Sequence, residues 1–128
     1  MVDRFSVTSR DIEGGRVFAF RGELDLSTCD GLVEELGSAG PLVVIDLSEL
    51  SFTDSSGLGA ILTARWRMIR EGGTLVLCRP QRNVRLVIEM LGLDELVTDW
   101  DPEWGGPSAA GLLPDSVWKR RTPLVAEG

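Results

Sequence analysis

Histidine is absent from the 128 residues of this chain. That absence removes Ser-His-Asp hydrolases, histidine-ligated zinc sites and histidine phosphorelays together, because each depends on an imidazole. The phosphate-cradling pattern Gly-x-x-x-x-Gly-Lys-Ser/Thr does not occur either, so the usual nucleotide loop is missing. Cysteine is scarce. Cys29 and Cys78 are too few and too far apart for a disulfide framework or a zinc motif, and they read as half-buried free thiols of a reducing compartment. No apolar run approaches the length of a membrane span, and the stretch from Met1 to Val7 carries charge where a signal peptide needs an apolar centre. A cytoplasmic protein is expected, with no membrane contact. Basic residues are outnumbered, giving a formal net charge of −7. Phosphate-backbone binding needs clustered Lys and Arg, so a direct nucleic-acid partner is not expected, whereas protein partners with basic patches fit. With these chemistries gone, the chain reads as a binding or signalling module without cofactor, metal or catalytic site, not as an enzyme.

What is present suits one domain with one core, since apolar residues make up 43% of the sequence. Phe5 and Val7, then Val17 to Phe20, predict two strands around Glu13-Gly14-Gly15. Gly22-Glu23-Leu24-Asp25 ends the second strand. Ser27 or Thr28 is the expected cap of a first helix burying Leu32, Val33 and Leu36. After Pro41, the unbroken run Leu42-Val43-Val44-Ile45-Asp46-Leu47 predicts a strand covered on both faces, followed by a short polar connection. Leu58, Ile61, Leu62 and Ile69 recur at helical spacing, with Trp66 and Met68 on the flanks and Arg65 within the stripe, its charge reaching outward along an aliphatic stem. Thr74 to Cys78 is another buried strand. Val84, Val87, Ile88 and Leu91 mark a third helix, closed by Gly92 as a left-handed cap. The alternation predicts an α/β fold, a mixed central sheet of four to five strands with crossover helices.

The character changes near residue 100. Pro102, Gly105, Gly106, Pro107, Gly111, Pro114 and Pro123 break any periodic pattern, so residues 1–100 read as the domain and 101–128 as a Pro/Gly-rich tail. Trp104 and Trp118 stand out in that tail, and apolar surface of this kind favours packing back on the domain over contact with a partner.

One segment gathers polar chemistry: Thr53-Asp54-Ser55-Ser56-Gly57-Leu58-Gly59, at the start of the second helix. Backbone N–H groups there lack intrahelical partners. One reading is simple capping, for which Asp and Ser are preferred. The other is a site. Three capping side chains stand where one suffices, and Gly57 and Gly59 each cost a helix about 1 kcal/mol. Their missing side chains would let a partner or a phosphate approach the backbone. A phosphate on Ser55 would also meet the positive end of the helix dipole.

Ile45-Asp46-Leu47-Ser48 followed by Phe52-Thr53-Asp54-Ser55-Ser56-Gly57-Leu58-Gly59 resembles the signature of STAS-domain anti-sigma factor antagonists. Gly22-Glu23-Leu24-Asp25 and Leu91-Gly92-Leu93 with Leu96 match that family's pattern in order and spacing, over roughly residues 3 to 100. The resemblance implies a single STAS-type domain and makes Ser55 the phosphoacceptor, with Ser56 a secondary site. It places Asp25, Asp54, Ser55, Ser56, Gly57 and Leu58 at the partner-binding face, although Asp25 is equally explained as a capping loop residue. Asp46, at a strand end, reads as structural.

The family's mechanism is partner switching in transcription regulation. The resemblance implies that the unphosphorylated protein binds an anti-sigma factor, itself a serine-protein kinase, and so frees a sigma factor. Phosphorylation at Ser55 inactivates the protein, and a PP2C-type, metal-dependent phosphatase reverses the step. Two other classes compete with this signal-transduction reading. One is a non-switching STAS scaffold or regulatory module of a stress-signalling complex. The other is an enzyme using Ser55 as nucleophile, for which the only available lysine base is Lys119 in the tail.

Overall fold

Alternating apolar residues at the start of the chain set up a hairpin, in which Val7 lies opposite Phe20 and Ser9 opposite Phe18. The structure, a computed structural model, describes residues 4–37 and 40–99. In it β1 (Ser6–Ile12) runs antiparallel to β2 (Gly15–Leu24), and β3 (Leu42–Thr53), β4 (Thr74–Cys78) and β5 (Val97–Thr98) follow in parallel. The result is one mixed five-stranded sheet in the order β1-β2-β3-β4-β5. Helices α1 (Leu32–Gly37), α2 (Ser55–Arg70) and α3 (Arg82–Met90) form the crossovers, with a short 3-10 turn at Asp94–Leu96 before β5. This is the expected α/β architecture, with the sheet at the larger of the expected sizes.

From β2 to β5 each crossover steps to the next strand in the same direction. Crossovers of one hand that step one way put their helices on one face of the sheet. The packing agrees. Leu32, Leu36, Leu58, Ile61, Ala64, Met68, Val84 and Ile88 join Phe18, Phe20, Val43, Ile45, Leu75 and Leu77 in the main core. The alternate strand residues Val17, Leu42, Val44 and Cys78 form a second buried cluster on the opposite face, flanked by Ile12 and Val76.

Three local expectations change. The polar connection after Leu47 is not a loop: β3 continues to Thr53, paired with β2 through Gly22–Leu50 and Leu24–Thr53. β4 is too short to accompany it, since its ladder ends at the Asp46–Cys78 pair. Side chains take over as donors on that edge, Gln81 Nε2 to the Ser48 carbonyl at 2.8 Å and Asn83 Nδ2 to the Ser51 carbonyl at 2.5 Å. A backbone acceptor left bare beside the sheet would be costly, so these amides sustain the strand. The stripe of α2 also shifts: Met68 belongs to the core, whereas Ile69 and Trp66 are exposed. Ala64 carries the stripe between Ile61 and Met68, which leaves Arg65 half-buried on its flank. Third, Leu91 lies outside the packed face of α3, which buries Val84 and Ile88. Gly92 does close that helix, at φ +73°, with Leu93 N–H donating to the Ile88 carbonyl and Gly92 N–H to the Glu89 carbonyl, both at 3.0 Å.

Asp46 is structural, although β3's extension places it within the strand instead of at its end. Its residue is 6% exposed and its carboxylate faces Arg79, with Nη2–Oδ2 at 2.5 Å and Nε–Oδ1 at 3.3 Å. The Ser48 amide donates to Oδ1 at 3.0 Å. Among the described residues no helix is long and apolar enough to cross a membrane. The tail expected from Asp101 onward, with Trp104, Trp118 and Lys119, lies outside the described residues.

Burial pushes the Asp46 carboxyl up, but hydrogen bonds from Arg79 and Ser48 outweigh it and hold the group below its ordinary value. The stabilisation is therefore complete above the unfolded carboxylate's pKa of about 3.9 and is lost as pH falls through the lower folded value. Asp46→Asn is expected to cost about 2 kcal/mol in urea denaturation at neutral pH. This is less than the ~3–5 kcal/mol of a fully buried pair, because Arg79 is partly exposed. The cost should shrink as pH falls below about 4.

Candidate functional site

Two strands and one helix meet at the carboxyl edge of the sheet. Leu24 and Thr53 are register partners at the ends of β2 and β3, and the Asp54 amide donates to the Leu24 carbonyl at 3.3 Å. Asp25 and Asp54 therefore leave the sheet side by side, at the edge where parallel α/β sheets commonly present their functional groups.

Asp54 is the N-cap of α2. Its backbone is extended, its Oδ1 accepts from the Gly57 amide at 2.9 Å, and its carbonyl accepts the Leu58 amide at 3.2 Å. This separates the two readings of the segment. The capping duty falls on Asp54 alone, so neither serine is needed for it. Ser55, the first residue of the helix, is exposed, and its hydroxyl has no hydrogen-bond partner among the described residues. Ser56 is half-buried beside it.

The glycines also separate. A Cβ on Gly57 would lie 2.6 Å from Thr53 Oγ1, 2.7 Å from the Leu24 carbonyl oxygen and 2.8 Å from Leu24 Cγ. Gly57 is thus required by close packing of the helix on the strand ends, not by an approaching partner. Around Gly59 nothing lies within 4 Å of an added Cβ. The expectation that Gly57 and Leu58 face a partner is corrected accordingly: Gly57 is buried, and Leu58, 1% exposed, belongs to the main core. They support the surface from beneath.

Asp25 shapes the neighbouring loop. Its Oδ1 accepts from the Ser27 amide at 2.9 Å and the Ser27 hydroxyl at 2.7 Å. Thr28 Oγ1 accepts from the Asp25 amide at 2.9 Å and donates to the Glu23 carbonyl at 3.0 Å. Ser27 and Thr28 are consequently committed to this turn and do not cap α1, which starts only at Leu32. The Ser27 hydroxyl bond is the main cause holding the Asp25 carboxyl below its ordinary value. A fixed negative charge therefore stands beside Asp54.

Two exposed apolar residues lie close to these acids in sequence, and the sequence alone assigns neither a role in binding. Leu26, 73% exposed, tips the Asp25 loop, and Phe52, 43% exposed, precedes Thr53 on β3. Phe52 opens the signature segment but its exposure was hidden while that segment read as a connection, and Leu26 is a single leucine among polar residues. The electrostatic setting was legible, however. Between Gly22 and Ala64 the sequence has neither lysine nor arginine, while Glu23, Asp25 and Asp54 cluster around the strand ends. The arrangement is a surface hydroxyl on a helix start capped by Asp54, with Asp25 leaving the paired strand beside it and an exposed apolar residue close in sequence to each acid.

The two glycines give a paired test of this geometry. Gly57→Ala should destabilise the domain by about 1–3 kcal/mol through overpacking. Gly59→Ala should stabilise it by up to about 1 kcal/mol through helix propensity. Urea denaturation of the two variants reads the opposite signs.

Comparison with known proteins follows the same outline. The STAS domain family matches residues 6–103. An anti-sigma F factor antagonist of Paenibacillus polymyxa is 32% identical over 96 residues, covering 70% of this chain and 81% of that protein. Among solved structures, the anti-sigma factor antagonist SpoIIAA in its unphosphorylated form shares the fold at a TM-score of 0.69 and 24% identity, over 78% of this chain and 92% of that one. An anti-sigma factor antagonist from Mycobacterium paratuberculosis gives a TM-score of 0.66 at 25% identity, over 77% and 89% of the two chains. With the motif order, the sheet and the family match in agreement, the chain belongs to the STAS-domain family of anti-sigma factor antagonists.

Proposed function

We propose that this chain is an anti-sigma factor antagonist working as a phosphorylation-set partner switch in the cytoplasm. Unphosphorylated, it binds an anti-sigma factor that is also a serine-protein kinase, and a sigma factor is released. Phosphorylation of Ser55 by that kinase ends the interaction, and a PP2C-type phosphatase restores it. The ATP chemistry belongs to the kinase and the metal chemistry to the phosphatase, so this chain acts as a binding protein and not as an enzyme.

The observation that carries the reading is the exposed Ser55 hydroxyl on a helix start already capped by Asp54. A kinase can reach it, and modifying it removes no hydrogen bond from the fold. The phosphate adds about −1.5 to −2 charges at neutral pH. The helix N-terminus offsets part of that charge, by roughly 0.3–1 kcal/mol at an exposed position. Asp54 and Asp25 oppose it, and the segment from Gly22 to Ala64 offers no basic side chain to pair with it. In the free protein, water solvates the dianion. Under a partner it would be buried among carboxylates and beside Leu26 and Phe52, at a cost of several kcal/mol per unpaired ion. The same acidic face suits a partner with basic groups, so association should weaken as salt rises.

The test is affinity capture from the native cell with the wild-type chain, Ser55→Ala and Ser55→Asp as baits, followed by phosphosite mapping. Ser55→Ala is expected to capture the kinase and remain unmodified, while Ser55→Asp loses capture. Equal phosphorylation of Ser55→Ala on another residue would remove Ser55 from the role.

A further inference from the structure

Ser55 is not alone on its side of α2. Ser55, Gly59, Leu62, Trp66 and Ile69 follow one another at alternating steps of four and three residues, a spacing that keeps them on one side of a helix. The core stripe of the same helix, Leu58, Ile61, Ala64 and Met68, occupies a different side. At ~1.5 Å per residue the outer row is about 21 Å long. Trp66 is 64% exposed and Ile69 40%, whereas Leu62 is half-buried against the main core. Apolar side chains scattered singly over a surface are ordinary, but an indole and an isoleucine aligned with a leucine form a patch. Gly59 interrupts the row. Glycine weakens a helix, and here no packing requires it, since an added Cβ would meet nothing within 4 Å. What Gly59 provides is a gap between Ser55 and Trp66 that a side chain of another molecule can enter.

Charge is divided along the same row. Asp54 stands at its start. Further on, α2 carries Arg65, Arg67 and Arg70 and no carboxylate, in a chain of net charge −7. By helical spacing Arg65 and Arg70 border the row on its two sides, whereas Arg67 is turned further round. The helix dipole accounts for Arg67 and Arg70 in the last turn, but not for the exposed Trp66 among them. We propose that the partner of the Ser55 switch is held along this whole row, and that the row selects it. The partner presents an apolar pocket to Trp66 and Ile69 and a side chain that enters the gap over Gly59. It carries carboxylates opposite Arg65 and Arg70 and basic groups opposite Asp54. Trp and Arg are the residues that most often dominate such contacts. Opposite charges at the two ends fix the direction in which the partner lies. The inference rests on the switch reading above and adds which partner surface that switch accepts.

Affinity for the captured kinase, measured by titration calorimetry with full-length chains, tests the row. Trp66→Ala should weaken binding about 30-fold or more. Gly59→Leu should weaken it at least ~10-fold while its urea stability stays at or above the wild-type level. Arg70→Glu should weaken binding at least ~10-fold and Arg67→Glu less than ~3-fold, although both change the net charge equally. Wild-type affinity in folded Trp66→Ala and Gly59→Leu, with Ser55→Asp still losing the kinase, would overturn the row and leave the switch standing. If the wild-type chain captures no kinase, or Ser55→Asp keeps it, the switch reading fails and takes the row with it. Equal losses from the two arginine variants would be an effect of net charge and would overturn the assigned partner surface. Ile69→Gln replaces any variant that unfolds. Sedimentation of the chain alone addresses the other occupant: a dimer that Trp66→Ala dissolves would overturn the proposal in favour of a second copy.

Discussion

The near-contact of Gly57 with Leu24 and Thr53 is the constraint from which the candidate site follows. It lets the first turn of α2 rest directly on the paired ends of β2 and β3, at distances a side chain would forbid. Once the helix starts there, Asp54 is positioned to cap it, and the Leu24 carbonyl takes the Asp54 amide. Ser55 follows as the first helical residue and is exposed. The glycine thus acts through fixed backbone geometry, while Leu58 anchors the same turn in the core. A surface group presented by so rigid a start can change its charge without disturbing the packing beneath it.

Much of this was legible in the sequence, and the failures have a common cause. Strand runs at Leu42 and Thr74 and the closing role of Gly92 depend on local pattern, and the fold bears them out. The extension of β3 to Thr53 was hidden because its edge is completed by Gln81 and Asn83, more than thirty positions away. The same distance concealed the Asp46–Arg79 pair. At α2, Ala64 weighs little in a hydrophobicity pattern, so the stripe was drawn through Ile69 instead of Met68. Within the site, Ser55 and Asp54 stood out by chemistry, but which side chain does the capping is a matter of geometry. Gly57 looked like an invitation to a partner because the strand ends that crowd it belong to another part of the chain.

The energetic logic of the site rests on a difference between surface and interface. At the exposed helix start a phosphate meets water, a favourable dipole end and two carboxylates, terms each on the order of 1 kcal/mol in a high dielectric. These nearly balance, and the fold is left intact. Beneath a partner the water is gone, the repulsion grows, and the nearest stretch of sequence supplies no cation. The proposed phosphorylation would then be tolerable in the free protein and costly in the complex. Rigidity matters here as much as charge, since a floppy loop could swing the phosphate out of the interface.

A phosphate on Ser55 is proposed to act on the partner and not on the domain. Phosphoserine installed at position 55, with affinity for the captured kinase and urea stability measured on the same sample, tests it directly. Affinity is expected to fall by at least ~10-fold, about 1.4 kcal/mol, with unfolding free energy unchanged within about 0.5 kcal/mol. Undiminished affinity would contradict it, as would a loss of affinity that merely follows a loss of stability.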